Sequence, residues 1–260
     1  MAHNKRKPAP SNSTMSLGDH LEELRVRLIL AIIGLVIAVI IALFFGKSII
    51  SFIEIPYVNT MGKDARLQSL APADGFISYM NISLVTGVIA ASPWIFYQLW
   101  MFVATGLYPH EKRYVYRAVP FSTILFITGA LSFIFGVAPV TLKFLVMFNK
   151  DILGVDSNFT FQNYVSFIAV MMLVFGITFQ TPILVFVLNK TGLVSLQALY
   201  KSRRFVILAV VIIAAIVTPG SDLFSMFTLA IPMYLLFELG VLLSFISNRK
   251  KNKIESGSNY

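Results

Sequence analysis

Five stretches of this 260-residue chain carry no charged side chain: Leu28–Phe45, Gly75–Pro109, Ala118–Leu142, Ser157–Asn189 and Phe205–Ser221. A helix rises about 1.5 Å per residue, so roughly 20 apolar residues cross a hydrocarbon core about 30 Å thick. Several of these stretches reach that length. The chain is 57% hydrophobic and 13% charged, where soluble domains run about 45–50% and about 25%. Together the stretches exceed what a soluble core of this size buries. The reading is an all-α integral membrane protein.

Six transmembrane helices are predicted, the last two short. Residues 1–15 (KRKPAPSNS and its flanks) form a basic, disordered cytoplasmic tail. Ser16 and Asp19 make a loose capping box, so a helix starts near Leu17 and ends near Phe45. Gly46–Asp74 is a polar connection. The second span falls within Gly75–Leu99 and contains Pro93, and the aromatic-rich Tyr97–Arg113 is its exit. The third lies within Tyr116–Phe135, followed by Pro139 and a loop to about Asn163. The fourth is Tyr164–Leu188, then a basic connection, Asn189–Arg204. Phe205–Val217 is marginal for crossing a bilayer. A tight TPGSD turn leads to Leu223–Ile246, and 249–260 is a basic cytoplasmic tail; the membrane domain is thus 16–248.

The net charge is +9, and the basic residues lie between the apolar runs, a pattern of membrane orientation and not of nucleic-acid binding. Sixteen Lys and Arg fall on the side of both termini and five on the other. The positive-inside rule then places both termini in the cytoplasm. The first run is too long for a cleaved leader. With no cysteine, disulfides and thiol chemistry are excluded.

Two acidic sites stand out on the basic face. One is Met15–Leu28, MSLGDHLEELRVRL, where Asp19 and Glu22 suit a helix N-terminus and Glu23 can pair with Arg27 four residues on. The other is Glu111 in YPHEKR, the only acid between spans two and three. Either alone reads as ordinary helix or loop charge. Together they are what a cationic ligand requires, since a carboxylate takes two parallel hydrogen bonds from one guanidinium. Glu238, inside the last apolar run, is either functional or paired with Arg249 or Lys250. Met171 and Met172 read as packing.

HLEELRVRL at His20–Leu28 resembles the N-terminal signature of the TatC family, the multi-spanning receptor subunits of twin-arginine translocation. The resemblance continues through YQLWMF (Tyr97–Phe102), YPHEKR (Tyr108–Arg113), FGITFQTPI (Phe175–Ile183) and TPGSDLFSMFTLAIPMYLLFELGV (Thr218–Val241). It implies a non-enzymatic receptor in the plasma (inner) membrane. Such a receptor binds twin-arginine signal peptides of folded cargo at the cytoplasmic face and supports export driven by the proton-motive force. The matching positions for peptide binding are Glu23 and Glu111, with Arg25 in support. Pro56, Phe102 and Asp222 match other functional positions. TatB-like and TatA-like single-span subunits, other copies of the chain and the lipid bilayer are the implied partners, with no cofactor, metal or nucleic acid.

Gln180 departs from the family, in which Glu is common at that point of the fourth span; Lys112 likewise stands where Arg is common. Desolvation would hold an isolated carboxylate at Gln180 neutral, and a neutral Glu and a Gln have nearly the same shape and hydrogen-bonding capacity. The position is therefore read as supplying polarity, with Pro182 freeing the Thr178 carbonyl nearby. The alternative function is a secondary transporter for a small solute. Such folds carry internal symmetry, and no repeat is evident here. An intramembrane protease lacks a base, because His3, His20 and His110 all lie outside the spans.

Overall fold

A computed structural model describes residues 17–62, 66–106, 112–155, 157–218 and 223–257. Ten α-helices run in the order α1 Leu17–Phe44, α2 Gly46–Ile53, α3 Ile55–Met61, α4 Asp74–Thr105, α5 Lys112–Ser132, α6 Ala138–Met147, α7 Phe161–Thr178, α8 Thr181–Lys190, α9 Leu196–Val217 and α10 Leu223–Gly257. Among the described residues, five helical units are long and apolar enough to cross a membrane: His20–Phe44, Asp74–Thr105, Val115–Ile152, Phe161–Lys190 and Met226–Arg249. The sixth member of the bundle is α9, apolar from Phe205 onward and cationic before it. Helix α1 packs on α4, α4 and α7 pack on α5, and α10 packs on α8 and α9. The bundle core gathers Ile82, Phe133, Ile134, Tyr164, Ile168, Phe175, Ala214 and Leu229, all at most 2% exposed. Met171 and Met172 belong to it, as packing residues should.

Helix α1 is described from Leu17 onward, and Ser16, the expected cap, lies outside the described residues. Four connections differ from expectation. The second span continues through Thr105; no Pro or charge interrupts Tyr97–Thr105, and Gly106 closes the helix. Gly46–Asp74 is not a plain polar loop. Its first half forms α2 and α3, whose Ile53, Pro56 and Tyr57 are buried against the outer end of the bundle. Pro56 sits in the first turn of α3, where a missing N–H costs nothing.

Beyond Phe135 the chain remains helical to Ile152, through π-helical turns at Phe133–Val137 and Phe148–Ile152. The wider turn immediately precedes Pro139, which lies in the first turn of α6. A π turn changes the hydrogen-bond register, so the proline's lost donor falls where the ladder is already being reset. The connection to α7 is therefore short. It is tied to the α3–α4 loop by Phe161 N–H donating to Gln68 O (2.8 Å) and Gln68 N–H donating to Phe159 O (3.3 Å). Finally, α9 begins at Leu196 within the expected basic connection, because the Ser195 hydroxyl caps it by accepting from Ala198 N–H (3.2 Å). The described part of the C-terminal tail is helical to Gly257.

Among helices in lipid, close approach depends on small residues. A Cβ on Gly129 would stand 2.7 Å from the Phe175 carbonyl oxygen and 2.8 Å from the Phe179 ring. Backbone cannot yield as a flexible side chain does. Gly129→Val is expected to destabilise the protein by about 1–3 kcal/mol, measured as thermal unfolding in detergent. Unchanged stability would show that α5 and α7 do not approach this closely.

Candidate functional site

The start of α1 and the end of α4 run antiparallel and present matching faces. His20, Glu23 and Arg27 lie three and four residues apart, so they share one side of α1; Gln98, Phe102 and Thr105 do the same on α4. Arg27 Nε donates to Glu23 Oε1 at 2.7 Å, and Arg27 Nη1 donates to Gln98 Oε1 at 3.1 Å. The His20 ring stacks on Phe102 with centroids 4.6 Å apart. His20 Nδ1 lies 3.2 Å from the Thr105 hydroxyl, which itself donates to Phe102 O at 2.6 Å. Farther along, Trp94 Nε1 donates to Leu30 O (2.8 Å) and the Tyr79 hydroxyl to Leu43 O. Polar staples thus hold α1 to α4 along its length.

Glu23 is the acidic centre of this face. Its side chain is 28% exposed and that of Arg27 23%, so the pair is sheltered without being sealed. An ionised carboxylate has room for about four donors, and Arg27 supplies one on Oε1. Arg25 lies two residues on, about 200° round the helix, and is exposed; the structure does not bring it to the Glu23–Gln98 face. Glu111 and Asp222 lie outside the described residues. Lys112 and Arg113 open α5 directly after Glu111. Pro56 is at the opposite end of the bundle. Near it, burial pushes the Glu54 carboxyl and the Tyr57 hydroxyl above their ordinary pKa values.

Sequence reasoning had singled out Glu23 and Phe102. It missed Gln98, which is 2% exposed and fixes the far side of the Arg27 guanidinium. A polar residue inside an uncharged run was the available signal.

Gln180 lies in the break between α7 and α8, 7% exposed. Its Nε2 donates to Ser122 O at 3.0 Å and to Gly176 O at 3.5 Å. The Gly176 carbonyl needs this contact because Gln180 N–H turns instead to Ile177 O (2.9 Å), tightening the turn before Pro182. Ser122 in turn receives Trp100 Nε1 on its hydroxyl at 2.8 Å, so three spans meet at one serine. Gln180 Oε1 is buried with no partner. The amide therefore acts as a donor, which a protonated carboxyl can also be. Gln180→Glu is expected to keep thermal stability in detergent, and Gln180→Leu to lower it by about 1–3 kcal/mol, because the Ser122 and Gly176 carbonyls lose their donor. Unchanged stability in the Leu variant would show that the donor is dispensable.

Glu238 is paired with Arg203 and not with Arg249, and the Lys250 side chain lies outside the described residues. Arg203 Nη2 of α9 donates to its Oε2 at 2.7 Å, and the Tyr234 hydroxyl to its Oε1 at 2.7 Å. The reach is set by α9 starting early, which carries Arg203 on a helix alongside α10.

The family model for the Sec-independent protein translocase protein (TatC) matches residues 19–232. The Sec-independent protein translocase protein TatC of Aquifex aeolicus is 36% identical over 241 residues, covering 93% of this chain and 99% of that protein. Its counterpart in Carboxydothermus hydrogenoformans is 34% identical over 94% of this chain and 97% of that one. A crystal structure of a twin-arginine translocase receptor, TatC, superposes with a TM-score of 0.79 at 35% identity, covering 88% of this chain and 99% of that one.

Proposed function

The chain belongs to the TatC family of multi-pass membrane proteins, and from that premise we propose that it is the signal-peptide receptor and core subunit of a twin-arginine translocase. Glu23 and Glu111 accept the guanidinium groups of the paired arginines at the cytoplasmic face, with Arg25 on the neighbouring exposed face of α1. The observation that carries this reading is the Glu23–Arg27–Gln98 chain. The Glu23 carboxylate already holds a guanidinium in place, so its geometry suits one. When a peptide arginine takes Glu23 Oε1, Gln98 remains to hold Arg27, and no buried cation is left without an acceptor. Phe102 and Thr105, bonded through His20, keep the receiving face rigid. This is binding work, and the energy for transport comes from the proton-motive force.

A photo-crosslinking residue at Thr105 should form an adduct with a twin-arginine signal peptide on its addition to membranes. A crosslinker at Ile152, at the other end of the bundle, should give none. No adduct at 105, or equal adducts at both, would remove the assignment.

The chain resides in the inner membrane with both termini in the cytoplasm. Basic residues at the starts of α1, α5 and α9 and at the ends of α8 and α10 support this orientation. A reporter fused at Ser258 should be cytoplasmic, and one inserted near Lys63 periplasmic. A periplasmic C-terminus would overturn the topology. TatB-like and TatA-like single-span subunits, and further copies of the chain, are its partners. They cover apolar surface such as the lipid-facing side of α1, where Ile33, Val36, Ile37 and Ile40 are each at least half exposed.

A further inference from the structure

A cleft of about 590 Å³ opens between α5, α8 and α10, apart from the Glu23 face. Its rim carries Arg117, Lys190 and Ser247, and its deep end Leu125, Pro182 and Leu239. On each of the three helices the rim and deep residues are eight positions apart, about 12 Å at 1.5 Å per residue. One leaflet of hydrocarbon is about 15 Å deep, half of a core about 30 Å thick. The cleft thus runs from headgroup level on the basic side nearly to the midplane. No acid lines it. Along its open side, from rim to deep end, Phe121, Leu239 and Leu243 are 59%, 46% and 43% exposed, so that side faces the lipid.

Its frame is fixed. A Cβ on Gly240 would stand 2.9 Å from Pro182 Cα and 3.0 Å from Val185 Cβ, so α10 and α8 touch behind the cleft. Asn248 Nδ2 donates to Asn189 Oδ1 at 2.9 Å and ties their basic ends. The cleft is too small for another span: one turn of helix, about 10–12 Å across and 5.4 Å tall, already fills about 500 Å³. A flexible acyl chain fits its length and width, and two cations with a hydroxyl at its mouth match a phosphate.

We propose that this cleft binds one anionic phospholipid of the inner leaflet, with its phosphate at Arg117, Lys190 and Ser247 and one acyl chain lying along Leu125, Pro182 and Leu239. Two cations at a headgroup give a preference of about thirtyfold over a zwitterionic lipid. The lipid would act as a wedge between α5 and α10 at the end of the bundle that receives the peptide. The proposal does not depend on what the Glu23 face binds.

The test is native mass spectrometry of the full chain, purified in detergent and titrated with phosphatidylglycerol and phosphatidylcholine of identical chains. Wild type should retain one phosphatidylglycerol with about thirtyfold preference. The Arg117→Gln/Lys190→Gln variant should lose the preference, and Leu243→Trp, which narrows the mouth with both charges kept, should lose retention itself. Lys143→Gln/Lys150→Gln, far from the cleft, should behave as wild type. Thermal unfolding of each variant confirms its fold. Equal retention of the two lipids, or phosphatidylglycerol held unchanged by both cleft variants, would overturn the site. Displacement of the lipid by a single-span apolar peptide, blocked by Leu243→Trp, would reassign the cleft to a partner helix.

Discussion

Glu23→Ala is expected to weaken binding of a twin-arginine signal peptide by about 10- to 100-fold, the loss of one charge-assisted hydrogen-bond pair worth about 1.5–3 kcal/mol. An exposed ion pair contributes only about 0–1 kcal/mol, and breaking a buried one costs about 2–5. Glu23, 28% exposed, lies between these limits. The substitution also leaves Arg27 with Gln98 as its remaining partner, so the face keeps its shape while losing its acceptor. Glu23→Gln is the sharper variant, because it keeps the volume and removes only the charge. The double variant with Glu111→Ala should lose peptide crosslinking and export together. If export and crosslinking persist in the double variant, the two acids are not the receptor.

Arg203→Leu carries the other large expected effect, on stability. It removes the ion-pair partner of the Glu238 carboxylate inside the last span and leaves the Tyr234 hydroxyl. An uncompensated charge at a span centre costs about 2.5–3.5 kcal/mol. Side-chain exposures of 43% for Arg203 and 27% for Glu238 reduce this to about 1.5–3 kcal/mol here. Replacing both partners removes the charge as well as its partner, so Arg203→Leu/Glu238→Leu should recover most of the loss. Thermal unfolding in detergent reads both. A double variant as unstable as the single one would mean that the pair does not hold α9 to α10.

Periodicity and charge made the spans legible, since a charge-free run of membrane length has few other uses. Proline misled at Pro139, where a residue that breaks an α-helix was accommodated by a π turn whose register no local pattern announces. The expected end at Phe135 therefore falls short of the helix, which continues to Ile152. Helices α2 and α3 are only 8 and 7 residues long, and Gly62 and Pro56 suggest a loop. At the site, Glu23 and Arg27 were visible as a local pair four residues apart. Gln98 was not, because its partner lies 71 residues away and only the antiparallel packing of α1 on α4 unites them. The Arg203–Glu238 pair escaped for the same reason, 35 residues apart with a mis-set helix start between them.

The reading of this chain as a twin-arginine receptor rests on guanidinium recognition, which an ammonium cannot reproduce in bidentate form. The most direct test is competition for the purified full-length protein between a labelled twin-arginine signal peptide and an unlabelled variant with both arginines changed to lysine. Charge, length and hydrophobic segment are then identical. The twin-lysine peptide should compete at least tenfold more weakly, and the difference should vanish in Glu23→Ala/Glu111→Ala. Equal competition by the two peptides in the wild-type protein would contradict the account.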